Sequence, residues 1–557
     1  MTRFVSGFVF ATLGSAGKLL SICSVLAAYA VMASVTVLAA TAVPGFAELE
    51  SAGAIIGQIK ITPQNIFDLA DKAENNSFYQ FVNRLHITTR PEVIEKGLLF
   101  KSGQPVSRQK IEETERLLRN SSTRYDVEIK PIAYQDGVVD IEVSTRDTWT
   151  LDLTGSYSRA GGDNKVSFGI KERNLLGTGI GIGYAATSDV DRKGTELGIS
   201  YPQAFDGWTT VAFERGRFDD GKRTSFTIDR PFYALDTRYA ARAAWSEVDQ
   251  IESIYNTGEI VSEYRRQLRA AEVSGGWSPG LIHGWTQRFS AGAFIQDNTY
   301  LVEPGRIPPV PMPVSNDLRA LFLRHEVVED NYLKVKNHNL IERAEYLVVG
   351  FNSRLQISKS LPGLGSSRSD WLYAGTIRDG YVFSSDHIFQ VAASVERRIA
   401  STALPMTHAG AIFKYYAPQP GRTLLFASLG VDRVSGGGIA DQLMIGGTLG
   451  LRGYPSRYQA GEQRFLFSIE KRAFTTWYPF RLFRIGGAVF FDAGRAWGGP
   501  NQNTINGGTL TDVGAGLRIA LDRAAFANIL HLDIAAPLNR APGLDSVQFL
   551  VKTEFSF

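Results

Sequence analysis

The chain has almost no cysteine. Only Cys23 among 557 residues carries a thiol, and it lies inside an N-terminal apolar stretch. A mature chain lacking that stretch would hold neither a disulfide framework nor a thiolate site. Charge of one sign is missing too: 59 Lys and Arg face 56 Asp and Glu, a net charge of +3. With no basic block to track a phosphate backbone, nucleic acid is not an expected partner. Beyond residue 40 no run is long and apolar enough for a membrane-spanning helix. Metal-site spacings are absent as well: there is no HExxH pair and no CxxC, and His325-Glu326 lacks the second histidine of a zinc site. No enzyme activity, metal or cofactor is expected.

The N-terminus has Arg3 and Lys18 ahead of an uncharged run from Leu19 to Ala40, then Pro44, Gly45, Phe46, Ala47 and Glu48. This pattern predicts a signal peptide over 1–47, with small residues Gly45 and Ala47 before the cut. Ala40 and Ala42 offer a second site. An uncleaved inner-membrane anchor is the competing reading, because the run is long enough to span a bilayer.

What is present is 44% hydrophobic and 11% aromatic residues, 55 glycines and a mean hydropathy of −0.09. Soluble proteins have this composition, and so do membrane barrels, whose strands alternate lipid-facing and lumen-facing residues. Residues 48–147 read as one small α/β domain. Ile55 to Ile61 is a strand, and Pro91 to Leu99 and Ser107 to Asn120 are helices, the second capped by Ser107. Tyr125 to Tyr134 and Val138 to Val143 form a hairpin around Asp136-Gly137. The polar stretch 62–90, with a short helical pattern at Ile66 to Lys72, is an insertion.

After Asp147 the period becomes two. Trp149, Leu151, Leu153, Gly155 and Tyr157 share one face of a strand, opposite Thr150, Asp152, Thr154, Ser156 and Ser158. Phe465, Phe467 and Ile469 oppose Arg464, Ser468, Glu470 and Arg472, and Val513, Ala515, Leu517 and Ile519 oppose Gly514, Gly516 and Arg518. The final strand places Phe549, Val551, Phe555 and Phe557 on one face. The expectation for 148–557 is a transmembrane antiparallel β-barrel of about 16 strands, at roughly 25 residues per tilted strand and connection. A soluble multi-sheet β-protein is the alternative. Strand parity puts Glu470, Phe490 and Asp492 on inward faces, where a guanidinium could fork onto either carboxylate and stack on the ring.

Leu451-Arg452-Gly453-Tyr454, after the glycine-rich Gly446 to Gly450, resembles the sixth-loop tip of the BamA-like superfamily. Ser468-Ile469-Glu470-Lys471-Arg472 and Phe490-Phe491-Asp492-Ala493-Gly494 resemble that family's wall segments. Glu172 to Gly179, which opens a strand with glycines at 177, 179, 181 and 183, resembles an early barrel motif of the family, and Asp229 to Phe232 resembles one of its strand ends. Leu98 to Val106, with Ile111 and Leu117-Leu118-Arg119, resembles a POTRA domain. The resemblance implies a loop folded back into the lumen, with Arg452 held by Glu470, Phe490 and Asp492. It also implies an outer-membrane protein with its N-terminal domain in the periplasm, which inserts or translocates unfolded polypeptide clients. Outer-membrane lipids are then partners, with other outer-membrane assembly proteins as further candidates. A single POTRA-like unit departs from the family's usual repeats. A dedicated two-partner exporter, and a passive channel or structural barrel, remain as alternatives.

Overall fold

The computed structural model describes residues 43–557 apart from 161–162, 189–191, 257–258, 384–385, 401–404, 438–440, 500–506, 525–528, 542–543 and 555–557, and only the backbone of 153–160, 163–167 and 553–554. The signal peptide, Cys23, Phe555 and Phe557 therefore lie outside the described residues, save for the last residues of the leader.

The first unit is a three-stranded sheet with helices on one face. Val138–Asp147 is central, parallel to Ile55–Gln64 and antiparallel to Arg124–Gln135. Its burial alternates strictly, and Val139, Ile141 and Val143 are fully buried. Above them lie Ile94 of the Pro91–Glu95 helix and Ile111 and Leu118 of the Arg108–Arg119 helix. The latter starts where Ser107 accepts a hydrogen bond from the Lys110 amide. Asp136 and Gly137 both take positive φ, as a two-residue hairpin turn requires. Leu49, from the Phe46–Ser51 helix, completes this core.

The insertion differs from its expected form. Residues 66–72 make turns, because the Asp68 and Asp71 carboxylates accept from the Ala70 and Ala73 amides and compete with a helix. The helix is instead Ser77–Leu85, capped by Asn76. Its Tyr79 packs with Ile66 and Phe67, and Trp149 lies against that cluster. Trp149 is therefore not the start of a wall strand. It bridges to Ala524, and the first wall strand is Leu151–Ala160.

From there the chain forms one closed antiparallel sheet. Among the described residues it contains twenty long strands, the last being Gln548–Glu554, rather than about sixteen. The undercount arises because connections are short: only Asp219 and Asp220 separate Thr209–Phe218 from Gly221–Arg230. Outward positions alternate around the wall and are apolar. Leu321 and Leu323 are exposed where Ala320 and Phe322 are buried, and the same holds for Leu355 and Ile357, Val513 and Leu517, and Phe549 against Leu550. No helix among the described residues is long and apolar enough to cross a membrane.

The sheet closes between the last and first wall strands, where Val551 stands opposite Arg159. The small α/β unit covers one end, here the near end. Contacts there include the Leu235 amide to Glu113 at 2.9 Å, Tyr79 Oη to the Phe480 carbonyl at 2.6 Å, and Arg523 to Glu74 at 2.6 Å.

Candidate functional site

The connection between Thr423–Ser435 and Gln463–Phe474 leaves the far end and turns back into the lumen. Two short strands, Leu443–Ile445 and Gln459–Gly461, pair at its base. Its tip is rigid: Leu451, at φ 63°, is buried with Ile445, Tyr454, Tyr458, Ala496 and Leu510. Tyr454 Oη donates to the Thr511 carbonyl at 3.0 Å. Gly453 permits the close approach, since a Cβ there would lie 2.6 Å from Cβ of Asp512. Its amide donates to Asp512 Oδ2 at 3.1 Å.

These contacts aim Arg452 at the inner wall. Its Nε and Nη2 donate to Asp492 Oδ2 and Oδ1 at 2.7 and 2.8 Å, a bidentate fork. Nη1 donates to Glu470 Oε1 at 2.8 Å, and Cζ sits 3.3 Å from the Phe490 ring centroid. The ring can lie there because residue 514 is glycine, whose Cβ would fall 2.3 Å from Phe490 Cζ. Arg452, Glu470, Phe490 and Asp492 are each under 10% exposed. The structure thus brings together the loop motif Leu451 to Tyr454 with all three wall residues expected from the sequence. Phe549 and Val551 lie at the seam, away from this cluster.

Ser468, part of the expected wall segment, donates to Asp492 Oδ1 at 2.7 Å. Sequence reasoning missed Asp533, which is paired with Arg518 and stands 3.7 Å from Arg452, and Asp512. Asp512 shares the inward face of Arg518 at two-residue spacing, so strand parity could have found it. The strand expected to open with the motif Glu172 to Gly179 starts only at Gly181, and Gly177 and Gly179 belong to a turn. There Asn174 donates to Thr89 of the α/β unit at 2.8 Å.

A second element fills the near end of the lumen. Residues 330–351, between Asn316–Glu329 and Asn352–Ser360, form their own hairpin from Tyr332–Lys336 and Ala344–Val348. Glu345 organises its tip by accepting from the amides of His338, Asn339 and Leu340. Ile341 is buried among Tyr416, Leu424, Phe426 and Phe474. Arg472, 1% exposed, donates to the His338 carbonyl and to Glu470 Oε2, both at 2.9 Å. One carboxylate therefore serves loop and hairpin through its two oxygens.

The same hairpin touches the α/β unit. Lys334 Nζ and Tyr346 Oη reach Glu115 Oε1 at 2.8 and 3.2 Å, and the Arg116 guanidinium lies 3.7 Å from the Tyr332 ring centroid. Burial opposes charge on Glu115, but Lys334 and Arg119 outweigh it and hold the carboxyl below its ordinary range. Between loop and opposite wall remains a cavity of about 560 Å³ bordered by Arg378, Lys414 and Arg464. By β-sheet spacings this holds about three or four extended residues.

One GxSxG spacing occurs, at Gly276 to Gly280. Ser278 there is fully buried, its Oγ accepts from the Gly280 amide at 3.0 Å, and a strand follows rather than a helix, so the serine serves a turn. Among the described residues no group of three or more acidic, His or Cys side chains could hold a metal ion.

No family model and no curated protein matches the chain. Among solved structures it is similar to BamA from Haemophilus ducreyi lacking POTRA domains 1-3, at 13% identity over 90% of this chain and 85% of that one, with a TM-score of 0.40. It is also similar to CdiB from Acinetobacter baumannii, at 12% identity over 90% and 73% of the two chains and a TM-score of 0.43. For CdiB from Escherichia coli the identity is 12%, the coverage 90% and 76%, and the TM-score 0.46. Likenesses at this level decide nothing about activity, and the functional reading rests on the site.

Two outcomes follow from this geometry. Arg452→Ala strands two buried carboxylates and costs about 3–5 kcal/mol of unfolding free energy in detergent. Arg452→Lys recovers only part of it, because an ammonium cannot make the fork. Equal stability of all three proteins would refute the assignment. The depressed Glu115 carboxyl makes its contact with Lys334 fully present above the ordinary carboxylate range and lost as pH falls through its lowered value. Acidification should therefore increase proteolysis at the 330–351 hairpin, and Glu115→Gln should remove that pH dependence. Unchanged pH dependence in the variant would contradict the coupling.

Proposed function

We propose that the chain is a BamA-like outer-membrane barrel that inserts or translocates polypeptide clients, with the α/β unit acting as a periplasmic POTRA domain. The observation that carries this reading is the Arg452 fork onto Asp492, with Glu470 and Phe490, at the tip of a loop folded into the lumen. A loop held so firmly inside its own barrel is a device for keeping a passage shut. Passive conduction is poorly served by it.

The bilayer setting is supported by the outward apolar positions, which in water would form a continuous sticky belt. The near end then faces the periplasm. The leader is best placed with its cut after Ala42. A cut after Ala47 would remove Phe46, which packs against the core of the α/β unit, and would open the helix holding Leu49.

In this reading the POTRA-like sheet captures an unfolded segment by strand addition. Residues 103–106 cover the start of Ile55–Gln64, with Gly103 donating to the Ile56 carbonyl at 2.8 Å. The other edge, Arg124–Gln135, is covered at its start, where the Arg124 and Val127 carbonyls accept from Arg343 and Arg119, and Pro131 with the register shift beside it interrupts its donors. Its exposed end, residues 132–135, is the docking segment of this reading. Its backbone groups read no side-chain sequence, which suits varied clients.

Of two exit routes, the lumen is obstructed by loop and hairpin, whereas the seam joins the first and last wall strands, with Val551 opposite Arg159. A seam that parts offers its edge as a template to a client strand. The test joins the two edges by Arg159→Cys with Val551→Cys, in a mature chain otherwise free of cysteine. In proteoliposomes supplied with an unfolded outer-membrane client, the oxidised protein should lose insertion and the reduced protein regain it. Full insertion by the oxidised form would remove lateral opening from the mechanism.

A further inference from the structure

The Ser77–Leu85 helix carries an apolar stripe left exposed among the described residues. Phe78, Phe81 and Leu85, at spacings of three and four, are 55, 54 and 58% exposed. They fall within about 60° of one another around the helix, at 3.6 residues per turn. Tyr79 and Val82 lie on the adjoining flank, about 100° further around the helix, in the cluster with Ile66 and Phe67. The helix thus carries one broad apolar arc: one flank anchors it to the protein, and the other is left bare.

Its place says what covers the bare side. Tyr79 Oη donates to the Phe480 carbonyl, and Leu482 packs on the same cluster, so the helix lies against the near-end turn 475–482. Trp477 and Phe480 of that turn are themselves 64 and 75% exposed. Other near-end strand ends and turns expose Leu176, Phe205, Tyr239, Trp277 and Trp285. A ring of aromatic and large apolar side chains at a barrel rim marks the level of the lipid headgroups. The helix continues this ring beyond the wall. It contains no acidic residue, and Arg84 on its polar side is exposed, matching lipid phosphates rather than a basic protein.

We infer that Ser77–Leu85 is an interfacial membrane anchor, lying in the headgroup boundary of the periplasmic leaflet with Phe78, Phe81 and Leu85 in the acyl region. This inference rests on the bilayer reading of the barrel. It fixes the α/β unit to the membrane beside the strands that lead to the seam. The unit is then tethered at two places, to the barrel by Glu74 and Tyr79 and to the lipid by the stripe.

The test uses the full mature chain in phosphatidylglycerol-containing liposomes, with one cysteine at a time carrying an environment-sensitive fluorophore. The labelled positions are Phe81→Cys on the stripe, Gln80→Cys on the polar side, and Val489→Cys on the outward wall. Lipids bearing a shallow spin label are the quencher. The inference expects the probe at 81 to shift to the blue and lose most of its emission while that at 80 keeps it, with the probe at 489 also quenched. Quenching at 489 but not at 81 overturns the anchor and leaves the barrel reading standing, pointing to a protein partner for the stripe. No quenching at 489 overturns the bilayer reading itself, and the anchor with it.

Discussion

A guanidinium buried among carboxylates is the constraint around which the lumen is organised. Removing an arginine and two acids from water costs several kcal/mol per charge, and only close, well-directed pairing recovers it. Arg452 meets that condition with a fork onto Asp492, a bond to Glu470 and a ring beneath. Such a group tolerates no half-made arrangement. The loop is either seated with all of its partners or withdrawn to water, and this two-state property is what a gate needs.

Glu470 extends the constraint toward the near end. Its second oxygen receives Arg472, whose other arm holds the His338 carbonyl at the tip of the 330–351 hairpin. The hairpin in turn reaches Glu115 and Arg116 on the α/β unit. A contiguous series of charged contacts therefore runs from the domain that would meet a client to the loop that would close the passage. Displacing the Arg108–Arg119 helix would loosen the hairpin, free Arg472, and weaken the hold of Glu470 on the loop.

Much of this was legible in the sequence. Strand parity alone placed Glu470, Phe490 and Asp492 on inward faces, and the run Leu451 to Tyr454 marked the loop. Parity puts Asp512 on an inward face but gives no depth, so its burial beside Gly453, like that of Asp533 beside Arg518, has no sequence signal. The hairpin escaped because Tyr332–Lys336 and Ala344–Val348 alternate like wall strands, and only tertiary packing turns them inward. The Ser77–Leu85 helix had its signal in Asn76 as cap and in the spacing of Phe78, Phe81 and Leu85, which the polar residues between them obscured. The strand count failed on connection length, a quantity set by turn chemistry rather than by periodicity.

The central claim is that loop and hairpin share one energetic unit through Glu470. A double-mutant cycle between Arg452→Ala and Arg472→Ala, with unfolding followed in detergent, measures it directly. The account predicts a coupling well above the ~0.5 kcal/mol within which independent sites add. Simple additivity would contradict it, leaving two separate plugs that happen to touch the same carboxylate.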